Sequence, residues 1–172
     1  MNRFKAKNSS SIAVNKQLMR QQLADHLEQI DWDVAATLTF RDDINEETTR
    51  KILSKFWHRV DRHIFKNAAS RYNKRVVRVN FVEGDDYKRY HVHLLAKSPR
   101  NLSPQKFMAL LELFWAEMPH TGFQNEYIDK DNPRFDSRGW TLYCSKSFSA
   151  YDTDALDTAS THLAEPTENT DL

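Results

Sequence analysis

Apolar positions along the chain fall into two periods, and the switches between them mark the elements. Ile12, Met19, Leu23, Leu27 and Ile30 recur at helical spacing, which predicts an amphipathic helix from about Asn15 that packs on a sheet. Residues 1–14 ahead of it, polar and basic from Met1 to Ser11, read as a flexible N-terminus. From Asp33 to Phe40 the period drops to two: Val34, Ala36, Leu38 and Phe40 share one face of a strand, Thr37 and Thr39 the other. A long helix follows, capped by Asp42 or Asn45, with Glu46 and Glu47 placed to complement its dipole. Ile52, Leu53, Phe56, Trp57, Val60, Ile64 and Phe65 form its buried stripe, and Lys51, Lys55, Arg59, Arg62 and Lys66 fall mostly outside that stripe. Ala68 to Lys74 connects back to the sheet.

Val76 to Lys97 reads as two strands joined by a polar turn. Val77, Val79 and Phe81 lead to Glu83 on one face; Val76, Arg78, Asn80 and Val82 take the other, so both faces of the sheet are expected to be covered in part. Gly84 is expected to start the turn through its freedom at positive φ. Ser103 as cap and Pro104 at the first helical position open another helix, whose apolar face is Phe107, Leu110, Leu111, Phe114 and Met118 and which Pro119 stops. A short strand in Phe123 to Ile128, a loop, and a helix from Arg138 to Ala150 complete the pattern. The order predicts an α+β domain over residues 15–150: a central antiparallel β-sheet of about four to five strands flanked by helices. Residues 151–172 read as a disordered acidic tail.

Composition adds limits. The chain has 172 residues, room for one domain with a sizeable core. No run of apolar residues is long enough to span a membrane and no signal-peptide core is visible, so no membrane partner is expected. The single cysteine, Cys144, excludes an intrachain disulfide framework and suits a reducing cytoplasm. The formal net charge is only +1, but it is unevenly spread. From Arg50 to Arg100 fourteen Lys and Arg face four acids, leaving +10, whereas residues 151–172 hold six acids and no Lys or Arg. A basic body suits a polyanionic partner.

The candidate chemistry lies in the hairpin and in the last helix. His91 and His93 are two apart in a strand and project from one face, and an antiparallel register sets Glu83 opposite or diagonal to them. Two imidazoles and a carboxylate leave coordination positions open, as a catalytic metal needs and a closed structural zinc site does not. Further on, Tyr143 and Lys146 are three apart and share a helix face, so a phenol and an ammonium can address one ligand. A phenol is a weak nucleophile at neutral pH, and Lys146 can stabilise charge on the phenolate or on an attacked phosphate.

Taken together these motifs resemble the HUH endonucleases, and within them the single-tyrosine initiators of rolling-circle replication. Thr37-Leu38-Thr39-Phe40 is similar to the family's first strand motif, His91-Val92-His93 to its His-hydrophobe-His motif, Glu83 to its additional acidic ligand, and Tyr143 with Lys146 to its Tyr-x-x-Lys motif. The resemblance spans about residues 33 to 147. The tyrosine follows the histidines, unlike in conjugative relaxases, and position 147 is Ser with the next tyrosine at Tyr151, unlike in two-tyrosine enzymes. The resemblance implies a ferredoxin- or RRM-like fold and a divalent cation, Mg2+ or Mn2+, held by Glu83, His91 and His93. It also implies attack by Tyr143 on single-stranded DNA to leave a 5′-phosphotyrosine link and a free 3′-hydroxyl, with Lys146 assisting. Thr39, Lys55, Arg59, Arg78, Lys88 and Arg89 are the residues expected to hold the DNA. The expected partners are a single-stranded or hairpin origin, a separate helicase, since the chain carries no helicase domain, and a host polymerase.

Three other readings fit parts of the pattern. A non-haem iron oxygenase also uses two His and one carboxylate, but such β-rich folds need more short strands and turns than three glycines and several helices supply. A binding-only single-stranded nucleic-acid module would use the sheet without chemistry, and Tyr143→Phe would be silent in it. A single-tyrosine transposase would share the site entirely.

Overall fold

A computed structural model describes residues 4–85, 87–146, 148 and 154–164, with side chains from residue 15 onward. The elements run α1 (Phe4–Glu28), β1 (Val34–Thr39), α2 (Glu46–Phe65), α3 (Asn67–Arg71), β2 (Arg78–Asp85), β3 (Lys88–Ala96), α4 (Pro104–Ala116), β4 (Glu126–Asp129) and α5 (Ser137–Cys144). The four strands form one sheet in the order β2-β3-β1-β4, and every neighbouring pair is antiparallel. β1 and β2 are therefore parallel to each other with β3 between them, as are β3 and β4 with β1 between them. The result is two interleaved split βαβ units. The α+β class, the antiparallel sheet and its flanking helices are as the sequence pattern predicts.

Alternation along the strands sorts the core into two layers. On one face Val34, Ala36, Leu38, Val92 and Leu94 pack under Ile52, Leu53, Phe56, Trp57 and Val60 of α2 and Phe107, Leu111 and Trp115 of α4. On the other, Ala35, Val77, Val79, Phe81 and Leu95 meet Leu27 of α1, Cys144 of α5 and Phe148. The two helices of this second layer are joined by Arg138, which pairs with Asp25 at 2.8 Å and Glu28 at 3.4 Å, and by a hydrogen bond from the Arg20 guanidinium to the Leu142 carbonyl. Asn45 rather than Asp42 caps α2, its side chain accepting from Thr48 N–H at 2.9 Å, and Ser103 caps α4 with Pro104 in the first turn.

The differences from expectation are local. α1 begins at Phe4, well before Asn15, and no glycine or proline interrupts residues 4–14. The connection after α2 contains a single helical turn, α3. α5 stops at Cys144, where Ser145 turns back on the helix through N–H and Oγ hydrogen bonds to Thr141 O at 3.0 and 2.7 Å. Of the longer helix expected there, Ser147 and residues 149–150 lie outside the described residues. Gly84 is not at positive φ; its role is steric, since a Cβ there would lie 2.7 Å from the Tyr90 Cα, and the register shifts between Glu83 and Asp85.

The acidic segment expected as a tail divides in two. Residues 154–164 run along the outer edge of β2: Val82 N–H donates to Ala155 O, Asp157 N–H to Asn80 O, and Arg78 and His162 exchange N–H to O bonds at 2.7 and 2.8 Å. Alternate residues of β2 thus find partners on what is otherwise an open sheet edge. Residues 151–153 and 165–172 lie outside the described residues.

Candidate active site

Glu83 is paired with His91 across the β2–β3 ladder, and His93 stands two residues along β3 on the same face. Glu83 Oε2 lies 3.6 Å from His91 Nε2 and 3.5 Å from His93 Nε2, and the three ligand atoms fall within 4.8 Å of one another. Atoms that share an ion at about 2.1 Å sit no more than about 4.2 Å apart, so a small side-chain rotation closes this group on a cation. Two of its atoms, Glu83 Oε2 and His93 Nε2, are buried without a hydrogen-bond partner. Unpaired buried polar atoms are costly, and here they converge on the point a metal ion would fill. The three residues fit a metal.

The outer contacts fix the ring orientations. Thr37 Oγ1, on the neighbouring strand β1, lies 3.0 Å from His93 Nδ1, and His91 Nδ1 lies 3.3 Å from the Arg89 carbonyl. Both contacts are to Nδ1, which turns both Nε2 atoms toward Glu83 and leaves them as ligands. His93 is only 4% exposed. Burial, followed by the neighbouring His91, pushes its pKa down to about 4 against the opposing pull of Glu83, so the ring is neutral at physiological pH. Burial alone would raise the Glu83 carboxyl, but the hydrogen bond from Lys146 and the electrostatic influence of the neighbouring His91 ring outweigh it and lower its pKa.

α5 and the turn after it bring the second half of the chemistry to the same place. The Tyr143 ring stands edge-on to His93 with centroids 5.5 Å apart, and Trp140 does the same at 5.7 Å. Lys146 is not on the helix as the spacing suggests, but just beyond its end. From there its Nζ reaches Glu83 Oε1 at 2.8 Å and lies 4.0 Å from the centre of the Tyr143 ring. Burial works against the Lys146 charge, yet its bonds to Glu83 and Tyr143 more than compensate and raise its pKa. Tyr143 itself is 54% exposed. It borders a cleft of about 570 Å³ that includes Thr37, His91, His93, Trp140 and Arg134, open to a ligand approaching from solvent.

The residues expected to hold DNA do not gather there as a set. Thr39 and Arg89 line a second cavity that shares His91 with the first, and Lys88 is exposed at the start of β3. Lys55 and Arg59 belong to α2, which covers the opposite face of the sheet, and Arg59 is paired with Glu117. Arg78 has to be removed from the set. It is 5% exposed, pairs with Asp61 at 2.9 Å, donates to the Ser160 carbonyl at 2.7 Å and stacks 4.5 Å from Trp57, so no phosphate can reach it. In the other direction, sequence reasoning missed Thr37 and Trp140 as site residues. Alternation placed Thr37 on a face, but only knowledge that β1 lies beside β3 aligns it with His93.

No helix among the described residues is long and apolar enough to cross a membrane. Comparison with protein-family models, curated proteins and solved structures finds no match for this chain.

Proposed function

We propose that this chain is a metal-dependent, sequence-specific endonuclease that nicks and rejoins single-stranded DNA to start rolling-circle replication, through a covalent 5′-phosphotyrosine intermediate. The observation that carries this reading is the meeting of an exposed phenol, Tyr143, with an ammonium and an open Glu-His-His group at one cleft. Glu83, His91 and His93 would hold the cation, and two imidazoles favour Mn2+ over Mg2+. When bound, it supplies Lewis-acid polarisation of a non-bridging oxygen on the scissile phosphate.

The chain's own residues do the rest. Thr37 and the Arg89 carbonyl orient the imidazoles, and Glu83 joins the metal group to Lys146. Lys146, 4.0 Å from the ring, stabilises negative charge as Tyr143 gives its phenolic proton to solvent. The phenolate oxygen forms a bond to phosphorus as the bond to the 3′-oxygen breaks. That oxygen takes up a proton and leaves as a free 3′-hydroxyl, while the 5′-phosphate stays on Tyr143. The phosphodiester is conserved, so the reverse attack by a 3′-hydroxyl rejoins a strand without a nucleoside triphosphate. A separate helicase and a host polymerase would unwind the origin and extend the primer.

The test is cleavage of end-labelled single-stranded oligonucleotides tiling the chain's own replicon, in Mn2+ and in EDTA. The expected result is metal-dependent nicking at one site, abolished in Tyr143→Phe and lowered by at least about a hundredfold in His91→Ala. Binding of single strands without nicking anywhere on the replicon would instead make this a binding-only module.

A further inference from the structure

A cavity of about 480 Å³ shares His91 with the Tyr143 cleft and is otherwise lined by residues that include Thr39, Arg41, Arg89, Tyr90 and Phe123. Its volume is in the range of small-ligand sites. Two features set it apart from ordinary surface. The first is Phe123, whose ring is 89% exposed. The second is that the loop carrying it is firmly held. Gly122 N–H donates to Thr39 O at 2.8 Å, Asn125 Oδ1 accepts from Thr39 N–H at 2.8 Å, and Asn125 Nδ2 returns to Gly122 O at 3.0 Å. A Cβ on Gly122 would press within 2.6 Å of Thr39 Oγ1, so the close docking of loop on strand requires glycine there. A large apolar ring is thus kept in solvent by backbone that is itself fixed, beside the guanidinium groups of Arg41 and Arg89; Asp42, at 3.5 Å from Arg41, cancels only part of that charge.

We propose that this cavity is a nucleotide subsite, in which Phe123 stacks against one base of single-stranded DNA while Arg41 and Arg89 face the adjoining phosphates. An aromatic face beside cations is the chemistry that takes an unpaired base, whereas a duplex buries the faces this ring would need. Because His91 borders both cavities, the stacked nucleotide is a near neighbour of the phosphate at Tyr143. The proposal rests on the nickase reading for its choice of DNA and deepens it by adding a site that holds a base outside the catalytic group.

Binding is measured in EDTA, where no cleavage occurs, by fluorescence anisotropy with a labelled mixed-sequence single strand and with an abasic sugar-phosphate strand of equal length. Wild type, Phe123→Ala and Phe123→Trp are compared, with circular dichroism to confirm their fold. Phe123→Ala is expected to weaken the base-bearing strand by about tenfold or more. Phe123→Trp keeps the affinity, and neither change alters binding of the abasic strand. Unchanged binding in Phe123→Ala, an equal loss on both strands, a Trp variant as weak as the Ala variant, or no single-strand binding by the wild type would overturn the subsite. Nicking that survives such a result leaves the nickase reading standing, and a stacking effect without any nicking keeps the subsite while removing the nickase.

Discussion

His93 sits at the junction of the site's packing and its electrostatics. Its Nδ1 meets Thr37, its ring packs against Trp140 and Tyr143, and its Nε2 is buried facing Glu83. Held neutral in the fold with a pKa pushed down to about 4, it takes up a proton more readily in the unfolded chain, where its pKa is near the ordinary 6.5. Its contribution to stability is therefore complete above about pH 6.5 and is lost as pH falls through about 4. In EDTA, the thermal midpoint is expected to drop across that window, and His93→Asn to flatten the drop; an unchanged slope in the variant would contradict the assignment. Thr37 acts through the same ring. Thr37→Val keeps the shape but removes the Nδ1 partner, and calorimetry with Mn2+ is expected to show affinity lowered by about ten- to a hundredfold.

At the scale of elements, the hairpin was the most legible part of the chain. Strict alternation on both sides of a polar turn fixes which side chains share a face, and the Glu83–His91 pairing follows from register alone. What alternation does not carry is the reason for a glycine. Gly84 serves close packing against Tyr90 rather than a positive φ, so Gly84→Ala is expected to cost about 1–3 kcal/mol in denaturant unfolding and to disturb the metal group next to it. A cost near zero would mean the bulge relaxes freely. The end of α5 was also hidden, because buried Phe148 continues an apolar pattern past the point where Ser145 ends the helix. Lys146 still reaches the site, but from a turn, and its partner Glu83 comes from a strand far away in sequence.

Across the whole molecule, charge was the weakest guide. The excess of Lys and Arg from Arg50 to Arg100 does not form one face: α2 carries Lys55 and Arg59 on the side of the sheet away from the site, and Arg78 is consumed internally. Arg78 ties Asp61 of α2 to the segment 154–164, and Asn80 adds bonds to Trp57 and the Ser160 carbonyl, so three parts of the chain converge on the edge of β2. Removing Arg78 takes the closer of two cations from buried Asp61, leaving Arg75 at 3.5 Å, and Arg78→Ala is expected to lose about 3 kcal/mol of stability by urea unfolding. If Arg78 served DNA instead, the variant would fold normally and lose binding. The acidic character of the last segment gave little sign of this role, because most of the bonds that hold it come from its backbone; among its acids, buried Asp157 adds an ion pair with Arg50 at 3.0 Å. The measurement that reaches the central claim most directly is intact-mass spectrometry of the protein after incubation with a cleavable single strand and Mn2+, followed by peptide mapping. The account predicts an added mass equal to the 5′-phosphorylated fragment, located on Tyr143 and absent in EDTA and in Tyr143→Phe; cleavage without any adduct, or an adduct on another residue, would contradict it.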